Sequence, residues 1–159
     1  MSEPSFCRHD RGGFLLSAEC VVPRPLDVVF PFFADALNLA ELTPPWIQFQ
    51  VLTPQPLLAM REGLLIDYRL RIHGLPLGWQ SEITAWQPQR RFVDEQRRGP
   101  YRFWRHEHLF EQVEGGTRVI DRVHYDVWGG ALINRLLVQR DLYKIFSFRS
   151  AALTAKFCD

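Results

Sequence analysis

In several stretches between residues 64 and 128, among them 64–72, 104–110 and 119–127, side chains alternate between an inward and an outward face, and from 131 to 157 the chain contains neither Pro nor Gly. A period of two marks strands with one covered face. An unbroken apolar run interrupted by Arg135, Gln139, Lys144 and Arg149 marks an amphipathic helix of about 25 residues, about 38 Å long at 1.5 Å per residue. A helix of that length must bury its apolar stripe, and the open face of a strongly curved sheet is the only partner large enough. The expected class is therefore α+β: a seven-stranded curved antiparallel sheet wrapped around a long C-terminal helix, with two short helices between strands 1 and 2.

The punctuation places these elements. Residues 14–22 read as the first strand, stopped by Pro23 and Pro25. Pro25 suits a first helical turn and Asp27 its positive end, which predicts a helix over 26–34. A second short helix over 36–42 is halted by Pro44 and Pro45. Strands follow at 47–52 and 64–72, then after a turn at 74–78, and then at 92–97, 101–113 and 117–128. Gly99-Pro100 and Gly115-Gly116 provide the last turns. Residues 1–13 read as a loose arm, and 14–159 as a single domain.

Composition narrows the function classes. Of 159 residues 47% are hydrophobic and 23% charged, with a net charge of +1. That balance argues against a general nucleic-acid binder and against disorder. The arm carries Glu3, Arg8, Asp10 and Arg11 without a long apolar core, unlike a secretory signal. No apolar run approaches the roughly 20 residues of a membrane-spanning helix. Cys7, Cys20 and Cys158 are scattered and odd in number, as reduced thiols are, so a cytoplasmic location is expected.

The strings VPRPLDVVFPFFADALNLAELTPPW, FVDEQRRGPYRFWRHEHLFE and DRVHYDVWGG, followed by the terminal helix, resemble the START/polyketide-cyclase superfamily, in its bacterial ligand-binding cyclase/dehydrase-like branch. The resemblance covers about residues 14–157. It implies the helix-grip fold, with a cavity between sheet and C-terminal helix. It also implies a ligand such as a lipid, sterol, polyketide, quinone or hormone, and in a few members cyclase or hydrolase activity. No catalytic motif is common to the superfamily, so the resemblance carries the fold further than the activity.

Strand alternation identifies what faces such a cavity. Arg105 and Glu107 belong in water, which turns Trp104, His106, His108 and Phe110 inward. By the same logic Asp121 and Tyr125 face inward between Val119, Val123 and Val127, and Asp94 and Gln96 follow Phe92. Tyr68 and Ile72 join from an earlier strand, with Phe32, Phe33 and Trp46 near the mouth. Each unpaired buried polar group costs about 1–3 kcal/mol, so this many inside an apolar face suggest a small-molecule site. His106 and His108 either pair with Asp94 and Asp121 as satisfied core groups or act with them as general acid and base. Two His at alternate positions plus a carboxylate would suit a metal, but without a second motif at fixed spacing neither a metal nor a cofactor is expected.

The leading expectation is a non-enzymatic module that binds a hydrophobic or amphipathic molecule (lipid, polyketide-like or quinone-like). The alternatives are a cyclase, dehydratase or hydrolase using His106, His108 and Asp94 or Asp121, and an interaction or regulatory domain. The last would work through Arg90, Arg91, Arg97, Arg98, Arg102 and Arg105 around the Gly99-Pro100 hairpin, or through an apolar lip of Leu57, Leu58 and Met60. Expected partners are a hydrophobic ligand and, through a sheet edge or the long helix, a second copy in a homodimer. No nucleic acid and no integral membrane segment are expected.

Overall fold

Pro23 and Pro25 close the strand β2 (Phe14–Val22), which turns Leu16, Ala18, Cys20 and Val22 inward. In the computed structural model, which describes residues 3–54 and 59–158, Pro25 caps helix α1 (Leu26–Phe33), whose Val29, Phe30, Phe32 and Phe33 are buried. Asp35 then accepts the Leu37 N–H at 2.9 Å and starts a 3₁₀ turn at Ala36–Ala40. Such a cap satisfies one of the donors that a helix start leaves open.

A second 3₁₀ turn occupies Pro45–Ile47, and only Gln50–Val51 forms strand β3. The strand expected over 47–52 is thus cut short. Pro44 and Pro45 fix the first residues, and Gln48 takes a left-handed φ of 48°, so pairing begins only where the chain is extended again.

Strands β4 (Leu65–Ile72) and β5 (Leu75–Gln87) form a hairpin whose two-residue loop is His73-Gly74. Both loop residues have positive φ, 51° and 79°, the geometry that matches the twist of the flanking strands. The turn expected over 74–78 is therefore tighter and earlier, and Pro76 lies within β5. Proline is tolerated there because residues 75–79 pair with β4 alone; pairing with the next strand starts only at Gln80. Strands β6 (Arg91–Arg98), β7 (Phe103–Val113) and β8 (Gly116–Asp126) complete the series. Register shifts in β5, at Gln80/Ser81 and Ile83/Ala85, are bulges of the kind that bend a sheet.

The arm expected at 1–13 carries an eighth strand, β1 (Ser5–Arg8), paired antiparallel with β2 from Ser5↔Ser17 to Arg8↔Phe14. His9 stacks on His124 at 3.8 Å, and the His124 Nε2–H donates to the Gly12 carbonyl at 2.8 Å. The sheet order is β1-β2-β8-β7-β6-β5-β4-β3, eight strands rather than seven. Its four-residue edge strand is mostly exposed and too short to show the alternation that would have marked it.

The C-terminal helix runs as α2 (Gly130–Ile133), a π turn at Asn134–Val138 and α3 (Gln139–Phe157). Leu142, Phe146, Arg149, Leu153 and Phe157 form its buried stripe. The core against which it packs has two parts. One is built on Phe30, Phe33, Ile66, Ile83, Phe92, Phe110 and Leu153. The other is built on Leu16, Trp104, Val123, Tyr125, Leu142 and Phe146. The π turn directs Asn134 inward, where its Oδ1 accepts the Tyr125 hydroxyl at 2.9 Å.

That bond ties helix to sheet inside the core. Tyr125→Phe leaves the buried Asn134 oxygen without its donor, so unfolding stability in urea is expected to fall by about 1–3 kcal/mol. An unchanged midpoint would contradict a structural role for Tyr125.

Candidate functional site

The inward face of β7 carries Trp104, His106 and His108, with the two imidazoles 3.7 Å apart between centroids. Asp94 on β6 lies opposite His106, and Asp121 on β8 lies opposite His108. The closest bonds run diagonally. His106 Nε2 is 2.8 Å from Asp121 Oδ1, and His108 Nε2 is 2.8 Å from Asp94 Oδ2. In a twisted sheet the diagonal neighbour is within reach of a long side chain. Phe92 stacks on His108 at 4.2 Å and Trp104 meets His106 edge-on, so the polar group is held between aromatic walls.

Arg149 of α3 completes the cluster. Its Nε donates to Asp121 Oδ2 at 2.9 Å and its Nη2 to Oδ1 at 3.2 Å. This is a two-pronged pair, the strong form of an arginine–carboxylate contact. The guanidinium also lies 5.3 Å from the Phe33 ring centroid. Burial would push the Asp121 carboxyl up, but Arg149, followed by the bonds from His106 and His108, holds it well below the usual carboxylate range. Burial likewise opposes ionisation of Asp94, yet the His108 bond and the neighbouring positive charges keep it below its ordinary value.

Two carboxylates and one guanidinium leave one negative charge, which one imidazolium would balance. His108 is the better placed, since its second nitrogen, Nδ1, faces Asp121 Oδ1 at 3.1 Å. Burial alone would lower its pKa, but the bonds to Asp121 and Asp94 outweigh that and raise it. Arg149 Nη2 also approaches Nδ1, at 3.4 Å; with the imidazolium formed, Nδ1 donates to Asp121 instead of accepting there. Burial, and then the charge on His108, lowers His106, which stays neutral and donates through Nε2. Its Nδ1 stands 3.8 Å from Asp94 Oδ2.

These groups border a cavity of about 200 Å³ between sheet, α1 and α3. Phe33, Tyr68, Ile72, Asp94, Trp104, His106 and His108, all expected at the site, line it together with Trp79, Ser81, Tyr101, Phe146 and Arg149. The Trp79 indole N–H donates to Ser81 Oγ at 3.0 Å, and Ser81 Oγ lies 3.5 Å from Asp94 Oδ1. Tyr68 is buried, and its side chain lines the cavity. Burial, reinforced by Asp94 and Asp67, pushes that phenol far above its ordinary pKa, so it remains a donor. A wider outer groove of about 730 Å³ adjoins the cavity, sharing Ile47, Ile72, Tyr101 and Ile145 with it.

Five expected site residues sit elsewhere. Asp121 lies behind the histidines, oriented by Arg149. Phe110 packs among Phe30, Phe33 and Phe92. Tyr125 is fully buried against Asn134. Gln96 clamps the Gly99-Pro100 turn by bonding the Tyr101 carbonyl at 2.8 Å and accepting the Tyr101 N–H at 3.2 Å. Trp46 is exposed on the outer groove beside Phe148.

Met60 lines the cavity, whereas Leu57 and Leu58 lie outside the described residues. Sequence reasoning missed Arg149, although the spacing Leu142, Phe146, Arg149, Leu153 sets it within an apolar stripe, where an arginine requires a buried anion.

Asp94, His106 and His108 offer three donor atoms within 4.8 Å of one another, the geometric minimum for a cation site. The bond from His108 Nε2 to Asp94 Oδ2 already occupies two of these donors, and the nearby Arg149 guanidinium adds a positive charge that opposes a cation. The arginines of the hairpin are largely engaged. Arg97 binds Glu82 and Glu95, Arg91 binds Glu107, and Arg102 binds Asp126.

Removing the guanidinium strands a buried carboxylate, so Arg149→Met is expected to lose about 3–5 kcal/mol at neutral pH. Because Asp121 titrates below its unfolded value, the wild-type advantage is full above about pH 4 and shrinks as the pH falls through the folded value. Urea denaturation of both proteins across this range should show the gap closing in acid. A gap independent of pH would contradict the ion pair.

The profile of the family described as "Polyketide cyclase / dehydrase and lipid transport" matches residues 22–144. Among curated proteins no relative matches. Solved structures with similar folds include protein Ms6760 from Mycobacterium smegmatis, at 16% identity and TM-score 0.69, covering 97% of this chain and 96% of that one. The Zhui aromatase/cyclase from a Streptomyces species is 14% identical with TM-score 0.69, covering 89% and 92%. A major latex-like protein from Panax ginseng is 12% identical with TM-score 0.67, covering 91% and 97%. Identities this low speak for the fold alone. With its curved antiparallel sheet closed on a long C-terminal helix, the chain has the helix-grip fold and belongs to the polyketide cyclase/dehydrase and lipid transport family.

Proposed function

We propose that this protein binds a hydrophobic or amphipathic small molecule in the cavity between sheet and helix, with a lipid, a polyketide-like ring or a quinone-like ring as the candidate classes. The observation that carries this reading is the lining of the cavity, a largely apolar wall on which Tyr68, Asp94, His106 and His108 set a few polar groups. A few polar groups on an apolar wall orient a ligand, and the Tyr68 hydroxyl on that wall would donate to a ligand oxygen. The inner cavity is smaller than the roughly 300–1,000 Å³ of drug-sized sites. It suits a compact ring system, and a longer ligand would continue past Ile72 and Tyr101 into the outer groove. Three scattered free cysteines suit the cytoplasm, where thiols stay reduced.

1-Tetralone and its hydrocarbon tetralin separate a polar site from a merely apolar hole. Calorimetry should show tighter binding of the ketone. Tyr68→Phe should weaken the ketone by about fivefold to tenfold, the worth of one hydrogen bond, and leave tetralin unchanged. Equal affinity for the two compounds, or loss of both in the variant, would count against the reading.

A second reading, acid–base catalysis in the same cavity, is favoured by His106. It lies on the cavity wall, its pKa lowered by burial and the charge on His108, and is oriented by Asp121 through Nε2, while Nδ1 makes no hydrogen bond among the described residues and lies 3.8 Å from Asp94 Oδ2. An imidazole oriented by a carboxylate through one nitrogen is the arrangement that proton abstraction by the other requires. On this reading His106→Gln, assayed on an enolisable aromatic polyketide mimic, should lower kcat by at least about a hundredfold with KM little changed. A change confined to affinity would exclude it.

A further inference from the structure

The first turns of the C-terminal helix invert the usual amphipathic order. The π turn directs polar Asn134 into the core, while Leu132 just before it, Leu136 and Leu137 within it, and Trp128 at the end of the sheet face solvent. These four are 52–69% exposed within ten consecutive positions. Exposed apolar residues scattered singly need no explanation, but a contiguous group does. Trp128 and Leu137 also line the outer groove that adjoins the cavity, so one side of the patch borders that groove.

The charges around the patch say what covers it. Arg135, Arg140 and Lys144 are exposed on the same helical segment, and Arg102 lies 5.3 Å from the Trp128 ring. The nearby acids are already engaged, Asp141 with His73 at 2.7 Å and Asp126 with Arg102 at 3.3 Å. In a two-fold dimer this patch would meet its own image, which would set three basic side chains against three more, an unfavourable pairing. An anionic lipid surface offers complementary charge together with an apolar layer for Trp and Leu. Among the described residues no helix is long and apolar enough to cross a membrane, so the contact would be peripheral.

We propose that residues 128–144 form a docking face for anionic membranes, with Trp128, Leu132, Leu136 and Leu137 inserted at the interface and Arg135, Arg140 and Lys144 on the lipid phosphates. The groove would then open toward the bilayer. The contact does not depend on what fills the cavity, so an empty cavity leaves this proposal standing.

Cosedimentation with vesicles tests it, using pure phosphatidylcholine against an equal mixture of phosphatidylcholine and phosphatidylglycerol. The full chain is expected to bind the mixed vesicles in a salt-sensitive way and to ignore the neutral ones. Arg135→Ala with Arg140→Ala should lower the partition about thirtyfold, from about 1 kcal/mol per basic residue. Leu132→Ser with Leu136→Ser should lower it at least about tenfold. All four positions are exposed, so melting temperatures should stay unchanged, and unchanged melting makes these losses interpretable. Failure to bind anionic vesicles, or full binding by the leucine variant, would overturn the proposal. So would a dimer in sedimentation velocity that Leu136→Ser dissolves without any vesicle binding, since the face would then belong to a second copy of the chain.

Discussion

The pair between Arg149 and Asp121 is the constraint on which the rest of the site depends. Two carboxylates and two imidazoles buried between aromatic rings are tolerable only if their charges close on one another, because an uncompensated buried ion costs several kcal/mol. The helix supplies the missing cation. It does so from one residue in the stripe that packs on the sheet, so the pair also fixes the helix's rotation and its position along the concave face. With Asp121 held ionised, His106 and His108 have defined partners, and Asp94 is the carboxylate left on the cavity wall.

The cavity follows from how the apolar residues divide. Phenylalanines from α1 and β7 fill one end of the sheet, while Trp104, Tyr125 and Phe146 fill the other. Trp79 packs against both groups. The polar cluster occupies the region between them, where extending either apolar group would bury charge against hydrocarbon. A space bounded in this way stays partly open and presents few polar atoms, which gives a ligand orientation as well as affinity.

Much of this was legible in the chain. Alternation on β7 put Trp104, His106 and His108 on one face, and the two carboxylates on neighbouring strands were found by the same rule. Alternation reports which face a residue takes, but it does not report height along the strand or depth beneath the cavity floor. Phe110 and Tyr125 therefore shared the inward face yet went into packing, and Gln96 went into clamping a turn. Arg149 escaped notice because a long charged side chain on a helix ordinarily reaches solvent; its sequence neighbours on the buried stripe held the contrary signal. β1 had little signal, since a four-residue edge strand is too short to show alternation and forms only when β2 offers it a free row of hydrogen-bonding groups.

Native mass spectrometry of the purified full chain, followed by organic extraction of whatever travels with it, tests the central claim most directly. The account requires an apolar molecule bearing at least one hydrogen-bond acceptor, at one per chain, that is lost or weakened in Tyr68→Phe. A protein that carries nothing, and whose cavity residues show no shift in NMR spectra when ring ketones are added, would contradict it.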